Sequence, residues 1–202
     1  MKEILKQSVR MKYLMDDGKN QEQQKKIVIL GLENAGKTTI VDLLKQETEV
    51  TLRKPPDMNP TKGVERRSLF QENIIVWDLG GQEIYRNEYL ANPESYFKKI
   101  SFCYYVVDIQ DYYRLAISTM YFMGIFNLVK RYSSNARIVL LFHKMDPDFN
   151  PNRRNLKDKF LEKIRPFLEK KDTSFKMYET TIFDINSIKT AFTQEILQLA
   201  QN

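Results

Sequence analysis

Cysteine, histidine and tryptophan each occur once in the 202 residues. The lone Cys103 excludes an internal disulfide, and with His143 as the single imidazole the chain has too few soft ligands for a structural zinc site. No apolar run, Ile138–Phe142 included, approaches the roughly 18 residues that span a bilayer. The N-terminal Met1-Lys-Glu-Ile-Leu-Lys-Gln alternates charge with apolar residues, and it lacks the apolar core and small-residue cleavage site of a secretory signal. A cytoplasmic location is therefore expected. Internal repeats and low-complexity tracts are also missing. What remains, 42% hydrophobic and 29% charged residues, is the balance of one ordinary domain.

The formal charge of +6 suits acidic partners, whether nucleotides, nucleic acid or anionic lipid, or else is a solvated basic surface. The aromatic residues argue against nucleic acid, because they concentrate in Phe102–Tyr105 and Tyr112–Phe126, where core packing accounts for them better than base stacking.

Short apolar runs alternate with longer amphipathic stretches, the signature of an α/β layered fold. Six strands are expected at Lys26–Gly31, Val64–Phe70, Asn73–Asp78, Ser101–Asp108, Arg137–His143 and Phe175–Thr180, the second and third forming a hairpin across Gln71-Glu72. Helices are expected at Lys37–Gln46, Tyr112–Arg131, Arg153–Lys170 and Ile185–Gln201, with Pro166 kinking the third of these or ending it early. Right-handed crossovers make such a sheet mostly parallel. Ahead of the first strand, Ile4, Leu5, Val9, Met11 and Met15 recur near helical spacing among basic residues. Residues 1–25 thus divide off as an amphipathic helix and polar linker, suited either to a membrane surface or to packing on the domain, 26–202.

The strongest motif is Gly31-Leu-Glu-Asn-Ala-Gly36-Lys37-Thr38, G-x-x-x-x-G-K-[ST] between an apolar strand and a helical run. Glycines there let successive backbone N–H groups turn inward around phosphate oxygens, and the helix N-terminus adds a favourable dipole. Gly31, Glu33, Asn34, Ala35, Gly36, Lys37, Thr38 and Thr39 are the phosphate-binding candidates, Lys37 reaching the β and γ phosphates. Thr38 offers a hydroxyl to Mg²⁺, a cation that demands hard oxygen ligands. About 40 residues on, Trp77-Asp78-Leu-Gly-Gly81-Gln82-Glu83 follows an apolar strand, which carries Asp78 to the sheet edge where open α/β sheets bind ligands. Asp78 is placed to hold Mg²⁺, the Gly81 amide to meet a γ phosphate, and Gln82 to orient an attacking water as the catalytic residue. In Asn59-Pro-Thr61-Lys-Gly63, Thr61 can supply a hydroxyl to the metal and a backbone N–H to the phosphate, making the loop a switch.

His143-Lys144-Met-Asp146 and Glu179-Thr180-Thr181 each follow a strand and together suggest a guanine pocket. Asp146 can accept from guanine N1–H and the exocyclic amine, an arrangement adenine does not present. The Lys144 stem covers the ring face, the Thr181 N–H faces guanine O6, Thr180 is a further guanine-binding candidate, and His143 is either a brace for the pocket or a strand-end histidine satisfied by local backbone. Five of the seven glycines fall in the phosphate elements.

This order of motifs resembles the small GTPases of the Ras superfamily from about Lys26 to Ala200, implying a P-loop NTPase fold. The phosphate loop, Pro60-Thr-Lys-Gly63 and Trp77–Glu83 look like the Arf branch, as does a helix before the first strand. His143-Lys-Met-Asp and Thr180–Asp184 look more like Rag/Gtr members, a mixture that would suit an archaeal or divergent eukaryotic relative. The resemblance implies bound GTP or GDP with Mg²⁺, exchange and activating proteins, effectors, and either a peripheral membrane attachment or a dimer. Lys2 stands where N-myristoylation requires glycine, no prenylatable cysteine ends the sequence, and no second dimerisation domain follows. Glu33, acidic as in Arf-type loops, suggests slow intrinsic hydrolysis relieved by a partner's arginine. The expected function is therefore a GTP-hydrolysing switch, and the alternative is a nucleotide-loaded scaffold with negligible turnover. A nucleoside kinase would need an arginine-rich lid; Arg153-Arg154 instead begins a solvated amphipathic helix.

Overall fold

A computed structural model describes residues 25–45, 59–69, 74–148, 155–169 and 175–200. Within them lie six strands, β1 Lys25–Gly31, β2 Val64–Leu69, β3 Ile74–Leu79, β4 Ile100–Asp108, β5 Arg137–His143 and β6 Lys176–Thr180. The helices are α1 Lys37–Lys45, α2 Glu83–Ala91, α3 Pro93–Phe97, α4 Leu115–Tyr132, α5 Asn155–Glu169 and α6 Ile185–Ala200. The expected N-terminal helix lies outside the described residues.

The strands form one sheet in the order β2-β3-β1-β4-β5-β6, parallel except for the antiparallel β2–β3 pair. A parallel sheet is covered on both faces, so its central strands read as continuous apolar runs. β4 shows the consequence: Phe102, Tyr104 and Val106 enter a core with α1 and α6, while Cys103, Tyr105 and Val107 enter the opposite one with α2, α3, α4 and α5. The result is a three-layer sandwich, with the phosphate loop leaving β1 at the carboxyl edge of the sheet centre. At the edge, β2 carries Glu65, Arg66 and Arg67, charges that discourage pairing with another chain.

Three expectations are corrected. Helices α2 and α3 were not anticipated, because Glu83–Ala91 buries only Tyr89 and so carries little apolar periodicity. Helix α4 begins at Leu115, since the Asp111 carboxylate accepts the Arg114 N–H at 3.1 Å and holds the preceding residues in a turn. Pro166 does not end α5, which continues to Glu169. Arg86 on α2 donates from Nε to Gly81 O at 3.0 Å and lies over the Tyr121 ring.

Candidate functional site

The phosphate loop is shaped by its own backbone. Asn34 and Gly36 adopt positive φ of 60° and 89°, and the Leu32 carbonyl accepts the Ala35 N–H at 3.3 Å and the Lys37 ammonium at 2.8 Å. Helix α1 starts immediately after, with Ile40 N–H donating to Gly36 O at 2.9 Å. The amides of its first turn precede the intrahelical ladder and face outward, as an anion site requires. Burial pushes the Lys37 ammonium down to about 8, against the upward pull of Asp78 and Glu33. Thr39 is half-buried in the same turn.

Three segments far apart in the chain meet beside this loop. Thr38 Oγ1 lies 2.5 Å from Asp78 Oδ2 and 2.7 Å from Thr61 Oγ1, and Thr61 Oγ1 lies 3.3 Å from the same carboxylate oxygen. Asp78 is fully buried, and its Oδ1 has no hydrogen-bond partner among the described residues. Burial raises the Asp78 carboxyl above its ordinary value, opposed by the Thr38 hydrogen bond and the Lys37 charge. One carboxylate and two hydroxyls, all hard oxygens, with one carboxylate oxygen unmatched, suit Mg²⁺, which completes its shell with water and phosphate oxygens.

The two glycine-bearing segments, around Gly63 and Gly80-Gly81, are tied together and to the loop. Gly80 N–H and Tyr89 O–H both donate to Gly63 O at 2.8 Å. Gly81 O accepts the Glu33 N–H at 3.1 Å. A Cβ on Gly81 would stand 2.2 Å from Glu33 N, so only glycine allows this approach. Gln82 follows at the N-cap of α2 and makes no capping hydrogen bond.

The proposed base pocket assembles between β5 and β6. Asp146 Oδ1 accepts the Thr181 hydroxyl at 2.7 Å, and Oδ2 accepts Gln110 Nε2 at 2.9 Å. Gln110 also donates to Lys144 O at 2.8 Å, a supporting role the sequence reading missed because it depends on β4 and β5 being adjacent. Lys144, at φ 66°, anchors its ammonium on Asp108 at 2.6 Å. The expected exposure of the Thr181 N–H toward guanine O6 is not observed: it donates to Ser187 Oγ at 3.2 Å.

His143 connects the two halves of the site. Its Nδ1 lies 2.9 Å from Thr180 Oγ1, and its ring packs on Gly36, where a Cβ would come within 2.6 Å of Cδ2. Burial, with the Lys144 charge, pushes the imidazole down to about 4 from 6.5, although Asp146 and Thr180 act in the opposite sense. The unfolded chain therefore binds a proton on His143 between these values while the folded chain does not. Stability contributed by the neutral ring is complete above pH 6.5 and is lost as pH falls toward 4, by about 3 kcal/mol at most. Urea unfolding across pH 4–7 should show this slope in the wild type and a shallower one in His143→Asn. Equal slopes would exclude His143 as the source.

Comparison with known proteins follows from this geometry. The model of the ADP-ribosylation factor family matches residues 11–197. ADP-ribosylation factor-like protein 3 of Chlamydomonas reinhardtii is 36% identical over 102 residues, 50% of this chain and 52% of that protein. The namesake in Saccharomyces cerevisiae is 25% identical over 186 residues, covering 91% and 89%. Against several curated relatives, the algal protein among them, the matched stretch spans about half their length. In fold, the chain is similar to the Arl6 BBS3 small GTPase from Trypanosoma brucei with bound nucleotide analogue GppNp, at TM-score 0.66 and 19% identity, covering 89% of this chain and 98% of that one.

Proposed function

This chain belongs to the ADP-ribosylation factor family of small GTPases, and we propose that it is a switch that binds GTP and GDP with Mg²⁺ and slowly hydrolyses GTP. The observation that best supports this reading is the convergence of Thr38, Thr61 and Asp78 oxygens, at 2.5, 2.7 and 3.3 Å, from three separate segments. Outside such a site, a buried carboxylate with an unmatched oxygen is a cost with no return.

In this reading the amides of the phosphate loop and the Lys37 ammonium hold the phosphates, while Asp78, Thr38 and Thr61 hold the metal. Bound there, Mg²⁺ would offset negative charge on the transferred phosphoryl group. Gln82 orients the attacking water, and no residue acts covalently. Asp146 selects guanine, with its carboxylate plane fixed by Gln110 and Thr181. His143 keeps the phosphate loop in register with the base pocket by bridging Gly36 and Thr180. Since the γ phosphate is the only phosphate that Thr61 and Gly81 would touch, GTP favours the ordered arrangement of both switches and GDP releases it.

The output is partner binding. Ile84 and Leu90 on α2, with Ile117 and Met120 on α4, are exposed, and Leu90 lies against Gly124 of α4. That surface adjoins the second switch and suits an effector or regulator. Exchange proteins and an activating protein supplying an arginine complete the cycle, and attachment to a membrane through residues 1–25 belongs to the same proposal. A nucleotide-loaded scaffold without turnover is the competing reading.

Titration of GTP, GDP and ATP with Mg²⁺ against the wild type and Asp146→Ala tests the proposal, with phosphate release followed over hours. The expected result is guanine-selective binding that weakens about 100-fold or more in the variant, from the loss of two charge-assisted hydrogen bonds. Wild-type phosphate release should be slow. Selectivity without any release favours the scaffold, and equal binding of ATP overturns the base-pocket assignment.

A further inference from the structure

The phosphate loop contains one acidic side chain, Glu33, placed where a carboxylate would repel a bound triphosphate. Its N–H, its carbonyl oxygen and its Oε1 are all engaged. Its N–H donates to Gly81 O at 3.1 Å. Arg114 grips the rest, with Nη1 3.1 Å from Glu33 Oε1 and Nη2 3.3 Å from the Glu33 carbonyl oxygen. The guanidinium is itself held from behind: Nε donates to Asp111 Oδ2, and the Arg114 N–H donates to Asp111 Oδ1 at 3.1 Å. Both Glu33 and Arg114 act on the buried Lys37 ammonium, with opposite sign.

The pair is half-exposed, and exposed ion pairs contribute little to stability, so its value to the fold does not explain two aligned contacts across 81 positions of sequence. Its location does. Asp111, Arg114, Glu33 and Gly81 form a continuous chain of hydrogen bonds ending one residue before Gln82.

We propose that Arg114 is a positioning residue of the nucleotide site, neutralising the Glu33 carboxylate so that the γ phosphate of a nucleoside triphosphate is tolerated, and holding Gly81 and Gln82 in register through the Glu33 backbone. The added γ phosphate is the group most exposed to an uncompensated Glu33, so the pair sets discrimination between triphosphate and diphosphate. Arg114 acts through Glu33 and does not itself contact the reacting atoms.

This inference rests on the guanine-nucleotide reading above. Its test is a double-mutant cycle, measuring GTP and GDP affinity and single-turnover hydrolysis at saturating GTP for the wild type, Arg114→Ala, Glu33→Gln and the double variant. Arg114→Ala is expected to lower the ratio of GTP to GDP affinity about 10-fold and to slow hydrolysis by a similar factor. Glu33→Gln, which removes the carboxylate while Arg114 keeps Asp111 and the Glu33 carbonyl, should raise the ratio several-fold. The double variant should return the affinity ratio close to wild type while hydrolysis stays slow, because the contact to the Glu33 carbonyl is still missing. The discrimination lost in Arg114→Ala should also diminish as salt is added, because it is electrostatic. If Arg114→Ala does not fold, Arg114→Gln reads the same cycle.

A loss of GTP-over-GDP discrimination in Arg114→Ala that Glu33→Gln does not rescue overturns the proposal and points to direct contact between Arg114 and phosphate, or to a purely structural role. Unchanged ratios in every variant overturn it as well. A wild type that binds no GTP defeats the underlying reading and this inference with it, whereas a wild type that binds and hydrolyses GTP without coupling defeats this inference alone.

Discussion

Gln82→Leu is expected to slow single-turnover GTP hydrolysis by about 10²–10³-fold, the effect of removing one pre-aligned polar group from a reacting centre, with a far smaller change in GTP affinity. The local structure explains why the side chain is available. Gln82 occupies the N-cap of α2 in extended conformation, φ −64° and ψ 150°, and its carbonyl accepts the Tyr85 and Arg86 N–H groups at 3.1 and 3.0 Å. Its amide makes no capping bond. An N-cap is ordinarily filled by Ser, Thr, Asp or Asn, each stabilising a helix by about 1 kcal/mol relative to a non-capping residue. Gln82→Ser should accordingly raise stability in thermal unfolding while abolishing most hydrolysis. Rate and stability moving in opposite directions would mark a side chain retained for chemistry. Hydrolysis at the wild-type rate in Gln82→Leu would remove it from the mechanism and favour the scaffold reading.

Lys37→Ala should weaken both GTP and GDP by about 10²–10⁴-fold, from the loss of one or two charge-assisted hydrogen bonds to phosphate in a buried setting. The ammonium is already desolvated and aimed along the loop by its 2.8 Å bond to Leu32 O. Little reorganisation is then needed when phosphate arrives. The loop itself should survive the substitution, because Leu32 O keeps the Ala35 N–H at 3.3 Å, and loss of a buried charge relieves its desolvation. Unfolding of the nucleotide-free variant should therefore resemble that of the wild type even as fluorescent GDP binding fails. Lys37→Arg is not a conservative replacement, since the planar fork does not fit a slot built around a point charge. Retained nucleotide affinity in Lys37→Ala would exclude the phosphate-loop assignment.

Residue 143 shows how one substitution changes the construction of a site without changing its plan. The small-GTPase resemblance places asparagine or threonine there in most members, and histidine is longer. Its ring spans from Gly36 to Thr180, and Gly36 must lack a Cβ for the ring to lie against it. The family match favours the Arf branch across residues 11–197, so the histidine motif is a local feature of this chain's brace and does not decide between branches.

What could be read in advance was set by short-range physics. The phosphate loop, the Asp78 segment and the strand ends are contiguous in sequence, and their backbone needs, glycine at close approaches and apolar runs in buried strands, leave direct marks on composition. The sheet followed for the same reason, since six apolar runs separated by amphipathic stretches admit few parallel arrangements. Helices α2 and α3 escaped notice because their burial is slight and their position is imposed by packing of Tyr89 and Phe97 beneath the sheet. The bond from Thr181 N–H to Ser187 was hidden because it depends on how the turn after β6 enters α6.

The sequence alone pointed to a small GTPase while leaving the Arf and Rag branches open, and it gave the order of the candidate phosphate and base motifs and the residue types suited to phosphate, metal and guanine. Only the tertiary structure decided which of these meet. Thr38, Thr61 and Asp78 share one cluster because β1 and β3 are neighbours in parallel register, and Arg114 reaches Glu33 because β4 pairs with β1 on the other side. Contacts of that kind depend on the register of distant strands, a property of the whole folded chain that no local run of residues encodes.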